Sequence, residues 1–207
     1  MICAVFFGGY MAKPEQVALW LASARKQKPG IEFGVRPWPS GAAKPDGDDG
    51  MNAFKTSRQF DSLVAALKAS PADKIYIVGH SSGCLIANEV DRALKGSTVA
   101  SKVVLVALDG FRPDPDQLAR DNTQVWGASS GVHKSYNYPK PKEKTALDKH
   151  FHDYKASADI TEEFALHFSL VNTAVTNKTG NIKDGYGETE CQANLIWVDE
   201  DLKVKKP

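Results

Sequence analysis

Three continuous apolar runs, alternating with helical patterns through the first half of the sequence, constrain this chain more than any other feature. Residues 2–7 (Ile-Cys-Ala-Val-Phe-Phe), 75–78 (Ile-Tyr-Ile-Val) and 103–108 (Val-Val-Leu-Val-Ala-Leu) carry no charge. Runs of this length without alternation are expected of strands buried on both faces of a sheet. Between them, Val17, Trp20, Leu21 and Ala24 recur at helical spacing after Pro14, until Pro29-Gly30 stops the pattern. Ile31, Phe33 and Val35 alternate as in a strand. Phe60, Leu63, Val64 and Leu67 mark one face of a helix that ends at Ser70-Pro71. Leu85, Ile86, Val90, Ala93 and Leu94 mark another, with Gly96 as its stop. Strands alternating with helices predict an α/β fold: a mostly parallel sheet, right-handed crossovers and helices on both faces. At 207 residues a single domain over 1–207 is expected.

The second half is less regular. Residues 123–126 and 151–154 read as short strands, and 129–149 as a long surface loop. A helix is expected near Thr161, carrying Phe164, Leu166, Phe168, Leu170 and Val171. Beyond Asn177 the glycines and lysines predict a loosely packed tail, in which 195–198 (Leu-Ile-Trp-Val) pairs as an edge strand. Asn177-Lys-Thr179 fits a glycosylation acceptor, meaningful only in a secreted protein.

Charge excludes some partners. The formal net charge is +1, so neither nucleic acid nor an acidic membrane is an expected partner. No run approaches the roughly 20 apolar residues of a membrane span. Met1 leads straight into an apolar run with no basic flank and no cleavage site, which points to the cytoplasm; a secreted protein stripped of its leader would read the same way. Cys3, Cys84 and Cys191 are read as free thiols, since no Cys-x-x-Cys spacing is present. Asp46, Asp48 and Asp49 miss the spacing of a calcium loop, because Gly50 and Met51 stand where a ligand and the turn glycine belong. His150-Phe-His152-Asp153 is an incomplete metal set, and two histidines flanking Phe151 are expected to be one exposed strand face.

The chemistry is concentrated in Gly79-His80-Ser81-Ser82-Gly83. The five letters alone are weak. Here, however, they join an apolar strand directly to a patterned helix, the context of a nucleophile elbow. Glycines on either side clear space for a sharp turn, and Ser81 is pushed above the sheet edge. The helix beginning at Ser82 aims its backbone N–H groups at the reacting carbon, favouring an anionic tetrahedral state. The competing reading is a glycine-rich turn used only for packing.

Residues 75–85 resemble the elbow of the α/β-hydrolase superfamily, and the strand–helix order over roughly 1–110 is similar to that family's core. The chain starts at what would be the family's third strand, like a small, lidless, cutinase-sized serine hydrolase. The resemblance implies an oxyanion hole from the loop Phe7-Gly8-Gly9-Tyr10-Met11, in which the N–H of Gly9 or Tyr10 joins that of Ser82; a plain strand-ending turn is the alternative. It also implies an acid and then a base after the serine. Asp109 closes the run 103–108, on the rim where parallel strands all end, and is the expected acid unless it merely caps a turn. The next candidate strand ends without one. His167, late in the chain among apolar neighbours, is the expected base; His133 is the runner-up, and His150 and His152 rank below it. Tyr10, Trp38 and Phe111 are candidates for an apolar pocket or for packing. The function implied is cleavage of a small-molecule carboxylic ester through Ser81, His167 and Asp109, with no cofactor. A thioesterase or acyltransferase would use the same residues, and a non-catalytic binding protein or a metal hydrolase are rivals of other classes. Oligomeric state is open.

Overall fold

The computed structural model describes residues 1–39, 54–128, 149–187 and 190–203. Its described residues form a six-stranded parallel sheet built from β1 (Ile2–Phe7), β2 (Ile31–Arg36), β3 (Lys74–His80), β4 (Val103–Leu108), β5 (Gln124–Gly127) and β6 (Phe151–Asp153). The spatial order is β2-β1-β3-β4-β5-β6, parallel at every step. β1, β3 and β4 are the three apolar runs, and they occupy the middle of the sheet, where both faces are covered.

Helices lie on both faces. α1 (Pro14–Gln27) buries Val17, Trp20 and Ala24, and Trp20 stacks on Phe6 of β1 with ring centroids 4.1 Å apart. The opposite face carries α2 (Arg58–Lys68), capped by Ser57, and α3 (Gly83–Leu94). α3 is buried nearly all round, so its acidic residues are paired: Asp91 with Arg120 at 2.7 Å, and Glu89 with Lys55 at 2.9 Å. Such pairing offsets the cost of removing carboxylates from water. A short helix, α4 (Pro115–Leu118), follows β4.

Register places the functional edge. Phe7 of β1 pairs with Gly79 of β3, and His80 pairs with Leu108 of β4. Gly8-Gly9, Ser81 and Asp109 therefore leave three adjacent strands on one rim. The chain runs outward from β1 to β2, then returns to place β3 on the other side of β1. That reversal opens a crevice beyond the carboxyl ends of β1 and β3, the usual ligand position in open α/β sheets.

The C-terminal third differs from expectation. After α5 (Glu163–Ser169) and α6 (Ile182–Tyr186), residues 196–203 form α7 (Ile196–Lys203), a helix and not an edge strand. Nor is this segment loosely packed. Tyr186, Trp197 and Val198 are fully buried, and Ala193 and Leu195 nearly so. Trp197 meets Tyr76 of β3 edge-on at 5.1 Å, while Asp201 accepts from the Tyr76 hydroxyl at 2.6 Å and pairs with Lys74. Four apolar residues in a row suit either a strand or the buried side of a helix, and here Trp197 and Val198 lie buried against the sheet while Asp199 on the next position is exposed, as on a helix with one covered face. Asn177 is drawn into the fold as well: its side-chain oxygen accepts from the N–H groups of Thr161 and Glu162 just ahead of α5, and its amide donates to the Asp159 carbonyl. All three cysteines are free, with Cys3 and Cys84 buried.

Candidate active site

The elbow is assembled by close approach. A Cβ on Gly79 would sit 2.5 Å from Cys84 Cα, and one on Gly83 would run into the Phe7 carbonyl, so neither position accepts a side chain. Between them the backbone turns through Ser81, whose φ is 54°. That left-handed conformation is uncommon for a residue with a Cβ and costs on the order of 1–3 kcal/mol. The turn is held by the Ser81 N–H donating to the Leu108 carbonyl at 3.0 Å and by the Cys84 N–H donating to the Ser81 carbonyl at 3.1 Å. Ser81 itself stays partly exposed, and Ser82 occupies the position just ahead of α3.

Asp109 is the second strained residue, with φ 44°. It leaves β4 fully buried; its N–H donates to the Trp126 carbonyl at 2.8 Å, and its Oδ1 accepts from the Ala128 N–H at 3.4 Å. The other oxygen, Oδ2, lies 2.6 Å from Nδ1 of His167, which projects from α5 and is 3% exposed. A carboxylate only accepts, so Nδ1 carries the hydrogen and a neutral His167 keeps its lone pair on Nε2. Ser81, Ser82, Gly9, Tyr10 and His167 line one cavity of about 170 Å³, closed on its apolar side by Phe164, Phe168 and Ile182.

The structure thus brings Ser81, Asp109, His167 and the Gly9–Tyr10 loop to one place. His133 lies outside the described residues, as do Asp46, Asp48 and Asp49. His150 and His152 are not an exposed face: His150 is 4% exposed, and His152 stacks on Trp126 at 4.4 Å. Among the described residues no three His, Cys, Asp or Glu side chains converge as metal ligands do. Of the proposed aromatic lining only Tyr10 reaches the cavity; Trp38 packs edge-on behind it at 5.8 Å, and Phe111 packs on a small cluster around Cys84 and Leu118.

Two residues of the cavity wall went unread in the sequence. His80, the variable letter of the motif, is fully buried and contacts the His167 ring at 4.4 Å. Tyr186, also fully buried, accepts from the Gly9 N–H at 2.6 Å and lies 2.9 Å from His80 Nδ1. The aromatic lining did leave a signal, since Phe164, His167 and Phe168 follow helical i, i+3, i+4 spacing. Tyr186 left none: it is an isolated aromatic in a Gly- and Lys-rich stretch.

Burial holds the His80 imidazole well below the usual histidine pKa, and the neighbouring His167 pushes the same way. The unfolded chain therefore binds a proton that the native state refuses. His80's contribution is whole above about pH 6.5 and is lost as pH falls below that value. Between about pH 7.5 and pH 5, wild-type stability is expected to fall by up to about 2 kcal/mol more than that of His80→Gln, as read by urea unfolding at each pH.

The described residues form a parallel α/β sheet with helices on both faces and a strained Gly-x-Ser-x-Gly turn at its rim. No family model matches the sequence, and no curated protein matches it either. Among solved structures, the chain is similar to a protein from Xanthomonas campestris pv. campestris described as a hydrolase of the α/β superfamily, at 14% identity and TM-score 0.48, over 75% of this chain and 87% of that one. It is also similar to the ydeN gene product of B. subtilis, at 12% identity and TM-score 0.46, over 75% and 86% of the two chains. Among the described residues, no helix is long and apolar enough to cross a membrane.

Proposed function

We propose that the chain is a serine hydrolase that cleaves small carboxylic esters, with Ser81 as nucleophile, His167 as base and Asp109 as the carboxylate that orients it. The observation that carries this reading is the buried 2.6 Å contact between Asp109 and His167 at the wall of the cavity onto which Ser81 opens. A buried carboxylate holds the imidazole in the tautomer whose Nε2 can take a proton, and it stabilises the imidazolium that forms.

In this mechanism Ser81 Oγ attacks the ester carbonyl while its proton passes to His167 Nε2. The tetrahedral oxyanion is received by backbone N–H groups, that of Ser82 and one from the loop after β1. Commitment of the Gly9 N–H to the Tyr186 hydroxyl supports Tyr10 as the second donor. The carbon–oxygen bond to the alcohol then breaks, and His167 returns the proton to the departing alkoxide. Water, deprotonated by the same imidazole, attacks the acyl-enzyme and releases the acid and free Ser81. The rings of Phe164 and Phe168 favour an uncharged, apolar acyl group in the small cavity.

The test is covalent. A fluorophosphonate should react with the native protein, its phosphorus bonding to Ser81 Oγ as fluoride leaves and the proton passes to His167. Peptide mapping should then find the adduct on Ser81 alone, and esters should turn over faster than matched thioesters or amides. Absence of the adduct, or an adduct elsewhere, overturns the reading.

A further inference from the structure

We propose that Tyr186 and His80 are positioning residues, joined in one buried hydrogen-bonded chain from the Gly9 amide beside Ser81 to the main-chain carbonyl of His167. The chain holds the loop after β1 and the base-bearing helix α5 in one mutual geometry. This rests on the reading of Ser81 and His167 as nucleophile and base.

The distances define the chain. Gly9 N–H meets Tyr186 Oη at 2.6 Å, Tyr186 Oη meets His80 Nδ1 at 2.9 Å, and His80 Nε2 meets the His167 carbonyl at 3.2 Å. The three links span 177, 106 and 87 residues, so the chain ties together the loop after β1, the end of β3, α5 and α6. Its first link abuts the nucleophile: a Cβ on Gly9 would stand 2.9 Å from Ser81 Cβ. Its last link is the backbone of the residue whose side chain is the base.

The direction of every hydrogen follows from chemistry. A carbonyl only accepts, so His80 Nε2 carries the hydrogen. A neutral imidazole has one N–H, so Nδ1 is bare and accepts from the Tyr186 hydroxyl. The phenol oxygen has then used its proton and accepts from Gly9. No member has a hydrogen left for substrate. Tyr186 is therefore not an oxyanion donor; it acts through the donors and the base that it braces. Both side chains are fully buried, so deleting one link strands a partner away from water and leaves the adjoining backbone free to shift. A displacement of about 1 Å at such a site costs on the order of 100-fold in rate.

The experiment measures the saturating labelling rate and the half-saturating concentration of a fluorophosphonate at Ser81 in the intact chain. Tyr186→Phe removes one oxygen and keeps the ring that packs on Phe168 at 5.0 Å. It is expected to lower the saturating rate by about 10- to 100-fold, with the half-saturating concentration changed less than about threefold. A purely structural role would instead show as reduced folded fraction at an unchanged rate per folded molecule. His80→Gln removes the Nδ1 acceptor, and combining it with Tyr186→Phe should cost no more than the worse single change, because one chain is broken once. A folded Tyr186→Phe protein that reacts at the parental rate, a loss confined to binding, or multiplicative losses in the double variant would each overturn the inference. If His80→Gln does not fold, the rate split of Tyr186→Phe decides alone. Wild-type protein labelled at Ser81 alongside an unaltered Tyr186→Phe rate sinks only this inference; an unlabelled wild type sinks the hydrolase reading and this inference with it.

Discussion

Ser81→Ala should lower kcat/KM for a small activated ester by about 10⁴- to 10⁶-fold, the scale set by loss of the attacking atom when donors and base remain. Binding should change little, because the cavity keeps its apolar lining of Phe164, Phe168 and Ile182. A companion variant separates chemistry from strain. Ser81 holds a φ of 54°, and alanine inherits that strain, since it too carries a Cβ. Glycine does not. Ser81→Gly should therefore be as inactive as Ser81→Ala yet more stable than it, by about 1 kcal/mol in urea unfolding once glycine's greater freedom in the unfolded chain is set against the relieved strain. The pair of results would mean that the fold spends stability to lift one hydroxyl above the sheet edge. An alanine variant that cleaves as fast as its parent would falsify the assignment of Ser81.

The central strands and the elbow were open to reading because burial on both faces writes an unbroken apolar run, here bounded by turn residues and free of helical spacing. β1, β3 and β4 follow those runs, and the rim position of Asp109 follows from the end of the third. What escaped was decided by contacts between segments far apart in the chain. Residues 177–203 look polar letter by letter, yet two of their large aromatic side chains face the sheet: Tyr186 meets β1 and β3, and Trp197 meets Tyr76. Nothing within ten residues of Tyr186 announces that its hydroxyl will take the Gly9 amide. His80 is the opposite case. It sits inside the motif, but an elbow constrains only the small residues beside it, so the identity of that position carries meaning only once α5 and α6 have closed over it. His150 and His152 were misread for a related reason: alternation puts two residues on one face of a strand but does not say what covers each of them, and here His150 is buried while His152 is half-covered by Trp126.

Asp109→Asn is the sharper test of the base, because it changes one atom and no volume. Asparagine tolerates left-handed backbone as well as aspartate does, so the φ of 44° should survive. Its amide is oriented by the neighbours already present. The Ala128 N–H, 3.4 Å from Oδ1, calls for an oxygen there, which turns the NH₂ group toward His167 Nδ1. Nδ1 must then accept, and the single hydrogen of the neutral imidazole moves to Nε2, the atom that has to receive the serine proton. The base faces its partner with a donor in place of a lone pair, and no carboxylate remains to stabilise the imidazolium. A fall of about 10³- to 10⁴-fold in kcat is expected, with KM nearly unchanged. The nitrogen-15 shifts of His167 should report the exchange of tautomers directly. If the asparagine protein keeps its rate while those shifts show the hydrogen on Nε2, then His167 is not the group that activates Ser81.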